Sequence, residues 1–186
     1  MTLLFKLLSK LRAIFFSKLY CISIKSAGRG LIIAGRKFID FRGSVRFGND
    51  CWIEAVFQYR EFNYHPKLYI GHDVMMSNHV HVSCVREIHI GNQTLIGSNV
   101  YIGDHSHGSS HVGKVDLSIP PFERPLDDIG TIHIGDRVWI GDGTVILAGT
   151  YICDGCIVGA NTVVKGKFTS PCVIAGIPAK VIRVLI

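Results

Sequence analysis

Hydrophobic residues recur at every sixth position along most of this chain. From Ile134 the sequence divides into the blocks IGDRVW, IGDGTV, ILAGTY, ICDGCI and VGANTV. Earlier stretches follow the same pattern, as FGNDCW, IGHDVM, MSNHVH, IGNQTL, IGSNVY and IGDHSH. A fixed period this short indicates a solenoid, in which the chain winds into stacked coils. Because three turns per coil bring every sixth residue to the axis, the first position of each block is expected to fill the core.

The remaining block positions predict the shape of the coil. The second is often glycine, where a close turn leaves little space for a side chain, and the fifth is commonly valine or threonine, which suit strands. The fourth holds residue types that tolerate positive φ, with Arg137 and Gln93 as exceptions. Parallel strands joined by such turns form flat sheets around a triangular prism, so we predict an all-β fold, a parallel β-helix over residues 26–186. A sandwich is disfavoured because the six-residue phase holds without irregular spacing from Ile134 to Val164.

A helical period marks residues 1–25, which are basic and contain no acidic residue. Its apolar stripe consists of Leu4, Leu7, Leu8, Leu11, Phe15, Leu19 and Ile22. The segment is predicted to be an amphipathic helix, either lying on an anionic membrane surface or packed over the open end of the solenoid. It lacks the run of about eighteen uncharged apolar residues that a membrane span needs, and it shows no signal-peptide cleavage pattern, so a cytoplasmic protein is expected.

Two segments interrupt the repeat. The first, FQYREFNYHPK at 57–67, is interpreted as a packed surface loop, with contact to an acceptor substrate as the alternative. The second is an excursion over about residues 104–131 that begins with DHSHG, after which the repeat resumes in register. Because a solenoid has little concavity of its own, such breaks are where a binding cleft can form.

Composition and charge exclude only a few classes of binding partner. A hydrophobic content of 48% argues against a disordered chain, and the 20 glycines suit closely spaced turns. The net charge of +6 favours anionic partners, but no basic stripe interleaved with exposed aromatic residues indicates nucleic-acid binding. The six cysteines show no disulfide framework, and Cys153 with Cys156 lacks the second pair of a structural zinc site. Buried packing in a reducing compartment is therefore expected.

These blocks, with the ending IAGIPAKVIR at 174–183, resemble the hexapeptide-repeat acyltransferases over about residues 41–183. The resemblance implies a left-handed β-helix, which breaks the usual crossover rule. It also implies acetyl-CoA as the acyl donor and a homotrimer with one active site at each interface. DHSHG followed by PPFERPL looks like the O-acetyltransferases of envelope polysaccharides. The implied acceptor is a sugar hydroxyl of a bacterial surface polysaccharide or its lipid-linked precursor, with a soluble sugar or an antibiotic as alternatives.

In the resembling family the catalytic histidine lies on an extended loop at the position of this excursion. His105 is the first candidate for the general base, because imidazole exchanges protons near neutral pH and can take one from a hydroxyl that attacks a thioester. Asp104, or a carboxylate from another coil, would orient the ring, and His107 is the runner-up. The candidates for acceptor contact are Asn78, His79, His81 and Arg124. The remaining histidines considered, namely His72, His89, His111 and His133, are interpreted as surface residues.

The family's cofactor groove implies acetyl-CoA contacts along the later coils. Trp139 is expected beside the pantetheine arm, while Gly141 and Ala160 would leave room for close approach. Lys165, Lys180 and Arg183 are the candidates for pairing with the phosphates. No phosphate loop or dinucleotide fingerprint follows a strand, so those modes of nucleotide binding are not expected.

Two rival functions compete with acyl transfer. A zinc hydratase of the carbonic anhydrase kind can use the same fold, but its ligands sit on rigid coils, whereas the densest histidines here lie on the excursion. No metal is therefore predicted. A non-catalytic scaffold is the other rival, and the DHSHG segment argues against it.

Overall fold

The computed structural model describes residues 3–113 and 116–186, which form one α-helix followed by many short strands. The helix is α1 (Leu3–Tyr20), and short 3-10 helices cover Arg36–Phe38 and Pro121–Glu123. The strands are β1 (Ile24–Ser26), β2 (Ile32–Ala34), β3 (Ile39–Phe41), β4 (Val45–Phe47), β5 (Trp52–Ala55), β6 (Gln58–Tyr59), β7 (Phe62–Asn63), β8 (Lys67–Ile70), β9 (Val74–Met76), β10 (His81–Cys84), β11 (Glu87–Ile90), β12 (Leu95–Ile96), β13 (Tyr101–Gly103), β14 (Ser106–His107), β15 (Leu126–Asp127), β16 (Ile132–Ile134), β17 (Trp139–Ile140), β18 (Val145–Ile146), β19 (Tyr151–Ile152), β20 (Ile157–Val158), β21 (Val163–Val164), β22 (Lys167–Phe168), β23 (Cys172–Ala175) and β24 (Lys180–Val184).

Three sheets form the faces of a prism. The first face has the order β1-β4-β9-β12-β17-β20-β23-β24, the second β2-β5-β10-β13-β18-β21 and the third β3-β8-β11-β16-β19-β22. Neighbouring strands within the faces pair in parallel, except for the antiparallel pair β23 and β24. Apart from the hairpin strands β6, β7, β14 and β15 and the last strand β24, successive strands along the chain fall on successive faces, so the predicted parallel β-helix is confirmed.

The core consists of the apolar columns that the six-residue period predicted. On the second face Ile53, Val82, Ile102, Ile146 and Val164 follow one another in register, and all five are fully buried. Each contributes apolar area removed from water, worth roughly 25 cal/mol per Å². The first position of the block therefore holds the prism together, as expected.

Positive φ occurs at the fourth block position even where the residue type does not favour it. Arg137 has φ 54° and Gln93 has φ 55°. Their backbone N–H groups donate to the carbonyls of Asn92 and His72 at 2.8 Å in both cases. This hydrogen bonding between coils fixes the turn, so the two sequence exceptions share the backbone of the asparagines and glycines at the same position.

Helix α1 lies against β1, at the beginning of the first face. It ends at Tyr20 rather than at the predicted Lys25, because Ile24 already points into the core and pairs with Val45 in the β-helix. Ala13 is buried against the coil, and Arg12 Nε donates to the carbonyl of Ala27 at 3.1 Å. Of the two alternatives for the helix, contact with the first coil is present, and it uses the face opposite the leucine stripe.

The cysteines pack mostly as expected. Cys51, Cys84, Cys156 and Cys172 are buried, Cys153 is half-buried, and the described chain contains no disulfide. Cys21 is exposed because it follows the end of α1 in a turn, where it adopts φ 53°.

Candidate active site

The excursion leaves the prism at the corner between the second and third faces. It begins after β13 and returns at β16, and β14 and β15 pair within it as a short antiparallel ribbon. The backbone N–H of Gly130 donates to the carbonyl of Asp104 at 2.9 Å, which closes the base of the excursion. The first residues of DHSHG are therefore held against the coil.

Asp104 is a fully buried carboxylate that anchors this corner. It accepts backbone N–H groups from Val85 and Arg86, each at 2.8 Å, and from Glu87 at 2.9 Å. Nδ1 of His105 lies 3.0 Å from its Oδ1. Because these donors keep the carboxylate in the role of acceptor, Nδ1 carries the proton and donates to it.

This tautomer leaves Nε2 of His105 as a free base. The His105 side chain is 7% exposed, and Nε2 has no hydrogen-bond partner within residues 3–113 and 116–186. A carboxylate that orients an imidazole in this way also stabilises the imidazolium that forms when the ring accepts a proton. The pair can therefore act as a general base on a hydroxyl that reaches Nε2.

Two further acids beside the pair stay protonated. Burial raises the pKa of the Cys84 thiol, and the charge of Asp104 raises it further. Burial also raises the pKa of Tyr101, with contributions from Asp104 and Glu54. Cys84 is therefore a thiol that packs against Asp104 and not a thiolate nucleophile.

A polar cluster that sequence reasoning missed lies on the second face next to this corner. Glu54 Oε1 accepts a hydrogen bond from the Ser83 hydroxyl at 2.7 Å and lies 3.2 Å from His81 Nε2. The Trp52 ring stacks on the His81 ring with centroids 4.4 Å apart. Burial acts to raise the pKa of Glu54, but the pKa is lowered overall, with the hydrogen bonds from His81 and Ser83 as the largest opposing causes. Glu54 is thus an ionised group within electrostatic reach of His105.

The hairpin β6–β7, formed by the first interruption, holds the excursion in place. Tyr59 Oη and Arg60 Nε both donate to the carbonyl of Phe122 at 2.7 Å. Tyr64 Oη accepts the N–H of Leu126 at 2.7 Å. The interpretation of this segment as a packed loop is confirmed, and its packing partner is the excursion itself.

His107 and Arg124 lie farther out on the excursion. His107 belongs to β14, is exposed, and meets the edge of the Tyr59 ring at 5.3 Å. Arg124 Nε donates to the carbonyl of Ile119 at 2.8 Å, so it braces the excursion from within. Neither residue has the buried carboxylate partner that His105 has.

Asn78 and His79 occupy the turn that precedes β10. The Asn78 side chain accepts the N–H of Asn49 at 2.8 Å, which links two coils. His79 has φ 56° and is exposed. His79 precedes the strand that carries His81, because β10 begins only at His81. Of the acceptor candidates, His81 is the one that joins the Glu54 cluster.

The cofactor candidates Trp139 and Arg183 stand in one outward row of the first face. Trp139 pairs with Ile157, Ile157 with Val173, and Val173 with Arg183. At about 4.8 Å per strand, the row spans roughly 14 Å between the first and last backbone. Trp139 is 52% exposed, and Lys180 lies on the same edge strand as Arg183. This face offers an aromatic ring and basic groups to an extended ligand.

Gly141, Ala160 and Lys165 have different surroundings. A Cβ on Gly141 would lie 2.6 Å from the backbone nitrogen of Ala160, so the next coil accounts for this glycine. Lys165 lines a 310 Å³ cleft together with Ser109 and Asp128 at the base of the excursion. It is therefore on the side of His105, whereas Trp139 is on the first face.

His89 and His133 were interpreted as ordinary surface residues, and the structure corrects this. Their rings stack with centroids 4.9 Å apart between Tyr69 and Tyr151 on the third face, and both are half-buried. Burial lowers the pKa of His133, and His89 lowers it further. In the described part of the chain no three histidine, cysteine or acidic side chains gather as a metal site.

A β-helix with a histidine-bearing excursion is consistent with the class of hexapeptide acyltransferases, and comparison with known proteins shows this class. Residues 131–166 match the family model described as "Bacterial transferase hexapeptide (six repeats)". The putative lipopolysaccharide biosynthesis O-acetyl transferase WbbJ of Escherichia coli K12 is 37% identical over 143 residues, which cover 76% of this chain and 72% of WbbJ. The chain therefore belongs to the hexapeptide-repeat transferase family, and it is an acyltransferase.

A second sequence relative and one solved structure were also compared with this chain. The galactoside O-acetyltransferase of E. coli K12 is 28% identical over 73% of this chain, and the match spans 62% of that enzyme. A point mutant of AntD, an N-acyltransferase from Bacillus cereus, was crystallised with dTDP-4-amino-4,6-dideoxyglucose and coenzyme A. It superimposes with a TM-score of 0.72 at 18% identity, over 92% of this chain and 88% of AntD. This likeness confirms the left-handed β-helix.

Proposed function

We propose that this protein transfers an acetyl group from acetyl-CoA to a sugar hydroxyl of a bacterial surface polysaccharide or its lipid-linked precursor, with His105 as general base. The observation that carries the proposal is the buried Asp104 carboxylate, which holds His105 Nδ1 at 3.0 Å and leaves Nε2 free. The names of WbbJ and of the galactoside enzyme support a sugar acceptor and an acetyl donor.

The chemistry follows from that tautomer. Nε2 takes the proton of the sugar hydroxyl as its oxygen attacks the thioester carbonyl carbon. The tetrahedral intermediate then collapses, the carbon–sulfur bond breaks, and the imidazolium returns the proton to the leaving thiolate of CoA. Asp104 stabilises the positive ring throughout. His107, which has no carboxylate partner, takes the role of a loop residue in this scheme.

We further propose a homotrimer. Trp139 and Arg183 project from the first face, whereas His105 lies at the corner between the other two faces, with the core between them. One chain therefore does not join its candidate cofactor row to its candidate base. A neighbouring subunit that brings its first face to this corner would complete the site. Light scattering is expected to give the mass of three chains, and a monomer at micromolar concentration would contradict the proposal.

The surface of helix α1 supports our proposal that the protein is cytoplasmic and attaches to the inner face of the membrane. Leu7, Leu11 and Phe15 are each more than half exposed on its outer side. The helix carries exposed lysines and no acidic residue. An apolar stripe flanked by lysines suits a bilayer that contains anionic lipid. Over residues 3–113 and 116–186, the structure has no helix with the length and apolar character to cross a membrane.

Replacing Leu7 and Leu11 by glutamate is expected to weaken binding to vesicles with anionic phosphatidylglycerol by tenfold or more. Two leucines would lose burial worth about 1.5–3 kcal/mol each, and about 1.4 kcal/mol is a factor of ten. Flotation with vesicles measures the effect, with uncharged phosphatidylcholine vesicles as the lipid control. Leu117→Glu is the matched control, because Leu117 is exposed on the excursion. Equal flotation of the wild type and the double variant would reject the membrane proposal.

The proposed reaction is tested by following free thiol released from acetyl-CoA. The acceptor panel contains cell-envelope glycans, soluble oligosaccharides and a hydroxylated antibiotic. We expect the fastest release with an envelope glycan, and mass spectrometry should show an acetyl ester on its sugar. Release no faster than hydrolysis with every acceptor would contradict the proposal, while preference for a soluble sugar or antibiotic would reassign the acceptor.

A further inference from the structure

We infer that Glu54 is the acceptor-specificity residue of this site, and that its free carboxylate oxygen selects sugars with a neutral hydroxyl or an amino group over acidic sugars. The inference rests on the proposed acyl transfer at His105. It states which class of acceptor sugar the surface beside His105 would bind. The identity of the acetyl donor does not determine that class.

The position of Glu54 follows from the register of three successive coils. Glu54 pairs with Ser83, and Ser83 pairs with Gly103, so these positions form one outward row on the second face. Gly103 immediately precedes Asp104 and His105 in the chain. Because adjacent strands lie about 4.8 Å apart, Glu54 is roughly two strand spacings from the point where the excursion begins. A sugar presented to His105 is therefore within reach of Glu54.

The hydrogen bonds of Glu54 leave one oxygen uncommitted. Ser83 and His81 both approach Oε1, at 2.7 Å and 3.2 Å. Within the described chain, Oε2 has no hydrogen-bond partner, and a carboxylate oxygen has two lone pairs to offer. The two bonds to Oε1 fix the direction of the group, so Oε2 is a preorganised acceptor. Trp52, stacked on His81 and 42% exposed, adds an aromatic surface on which a sugar ring can pack.

The charges around the site select against anions. Glu54 and Asp104 are carboxylates, and neither forms an ion pair with lysine or arginine in residues 3–113 and 116–186. Their hydrogen-bond partners are histidine, serine, cysteine and backbone N–H groups. A uronic acid would place another carboxylate in this partly buried site, where repulsion is screened less than in water. A hydroxyl or ammonium group would instead donate to Oε2.

The test is the discrimination between a neutral hexose oligosaccharide and the matching uronic-acid oligosaccharide. Wild type is expected to favour the neutral acceptor in kcat/KM by about tenfold or more, the size of a charge-assisted hydrogen bond. Glu54→Gln keeps the shape and removes the charge, so it should raise KM for the neutral acceptor and bring the ratio close to one. We expect the KM for acetyl-CoA to stay within about threefold, since Glu54 contacts the acceptor and not the acyl donor.

The control is Glu61→Gln, because Glu61 is an exposed carboxylate in the turn between β6 and β7. It should keep the wild-type ratio.

An unchanged ratio in Glu54→Gln, or no preference in wild type, would overturn the inference while leaving the acyl transfer intact. If wild type releases no thiol with any acceptor, the proposed function fails instead. Calorimetric titration of the two oligosaccharides without acetyl-CoA then tests whether Glu54 binds the acceptor. Weaker binding of the neutral sugar to Glu54→Gln than to wild type supports the inference. No binding to either protein, or equal binding to both, overturns it.

A second variant keeps the inference testable if thermal melting shows that Glu54→Gln does not fold. Ser83→Ala removes the shorter of the two bonds that fix Oε1. It should shift the acceptor ratio in the same direction as Glu54→Gln, but by a smaller factor, because His81 still holds the carboxylate. A Ser83→Ala variant that melts like wild type and keeps the wild-type ratio also counts against the inference.

Discussion

Replacing His105 with alanine lowers the rate of thiol release by about 10² to 10⁴, the usual contribution of a general base. The loss should fall on kcat, because the ring acts on the proton that moves in the transition state. Asp104 keeps its three backbone donors when the ring is removed, so the corner of the prism stays formed. Melting temperature and subunit mass should therefore stay near the wild-type values.

His107→Ala is the matched control, since it removes a neighbouring imidazole from the same excursion. The His107 ring is exposed and contacts Tyr59. We expect a change in rate of less than about tenfold, below the range of a lost general base. The opposite result, in which His107→Ala is inactive and His105→Ala is active, would transfer the base to His107. Equal wild-type rates in both variants would remove the excursion from the chemistry.

Most of the fold could be predicted because the repeat encodes each position locally. Ile134, Ile140 and Ile146 are six residues apart and all are buried, so the core follows from counting alone. The turn conformation was harder to read at Arg137. Its positive φ is accompanied by a hydrogen bond from its backbone N–H to the neighbouring coil. The identity of one residue does not reveal a hydrogen bond that forms only when coils stack.

The Glu54 cluster was not predicted because the register between the strands of Glu54 and Ser83 depends on an insertion. The hairpin β6–β7 lies between the coil of Glu54 and that of Ser83, so counting in sixes across it loses the phase. The usable signal was the block FGNDCW, which places Trp52 and therefore Glu54 on outward positions. Asp104 and His105 were found because DHSHG is contiguous in sequence, whereas Glu54, Ser83 and His81 meet only when coils stack.

Helix α1 shows a different limit of the sequence. Its period predicts an amphipathic helix, but amphipathicity does not say which face meets the protein. Ala13 and Arg12 contact the coil, and the leucine stripe is left outside. The half-buried rings of Phe16 and Tyr20 also pack against the core, so the inward face of the helix carries apolar side chains as well.

Gly91→Ala is expected to destabilise the β-helix by about 1 to 3 kcal/mol, the usual cost of overpacking. A Cβ at Gly91 would lie 2.4 Å from the carbonyl carbon of Gly135, and backbone cannot move aside like a flexible side chain. The N–H of Gly91 donates to the carbonyl of Ile134 at 2.8 Å, so the two coils are tied together where the methyl group must fit. At about 2 to 4 °C per kcal/mol for a chain of this size, the melting temperature should fall by several degrees.

Gly155→Asn separates this steric cost from the general effect of replacing a glycine. Gly155 has φ 69°, and a Cβ there would meet no atom within 4 Å. Asparagine already occupies the equivalent turn at Asn161 with φ 54°, so the variant should melt within about a degree or two of wild type. Calorimetry at one protein concentration compares the three proteins. A melting temperature unchanged by Gly91→Ala would mean that the coils can separate without loss of stability. The close contact at the second block position would then not explain why glycine is common there.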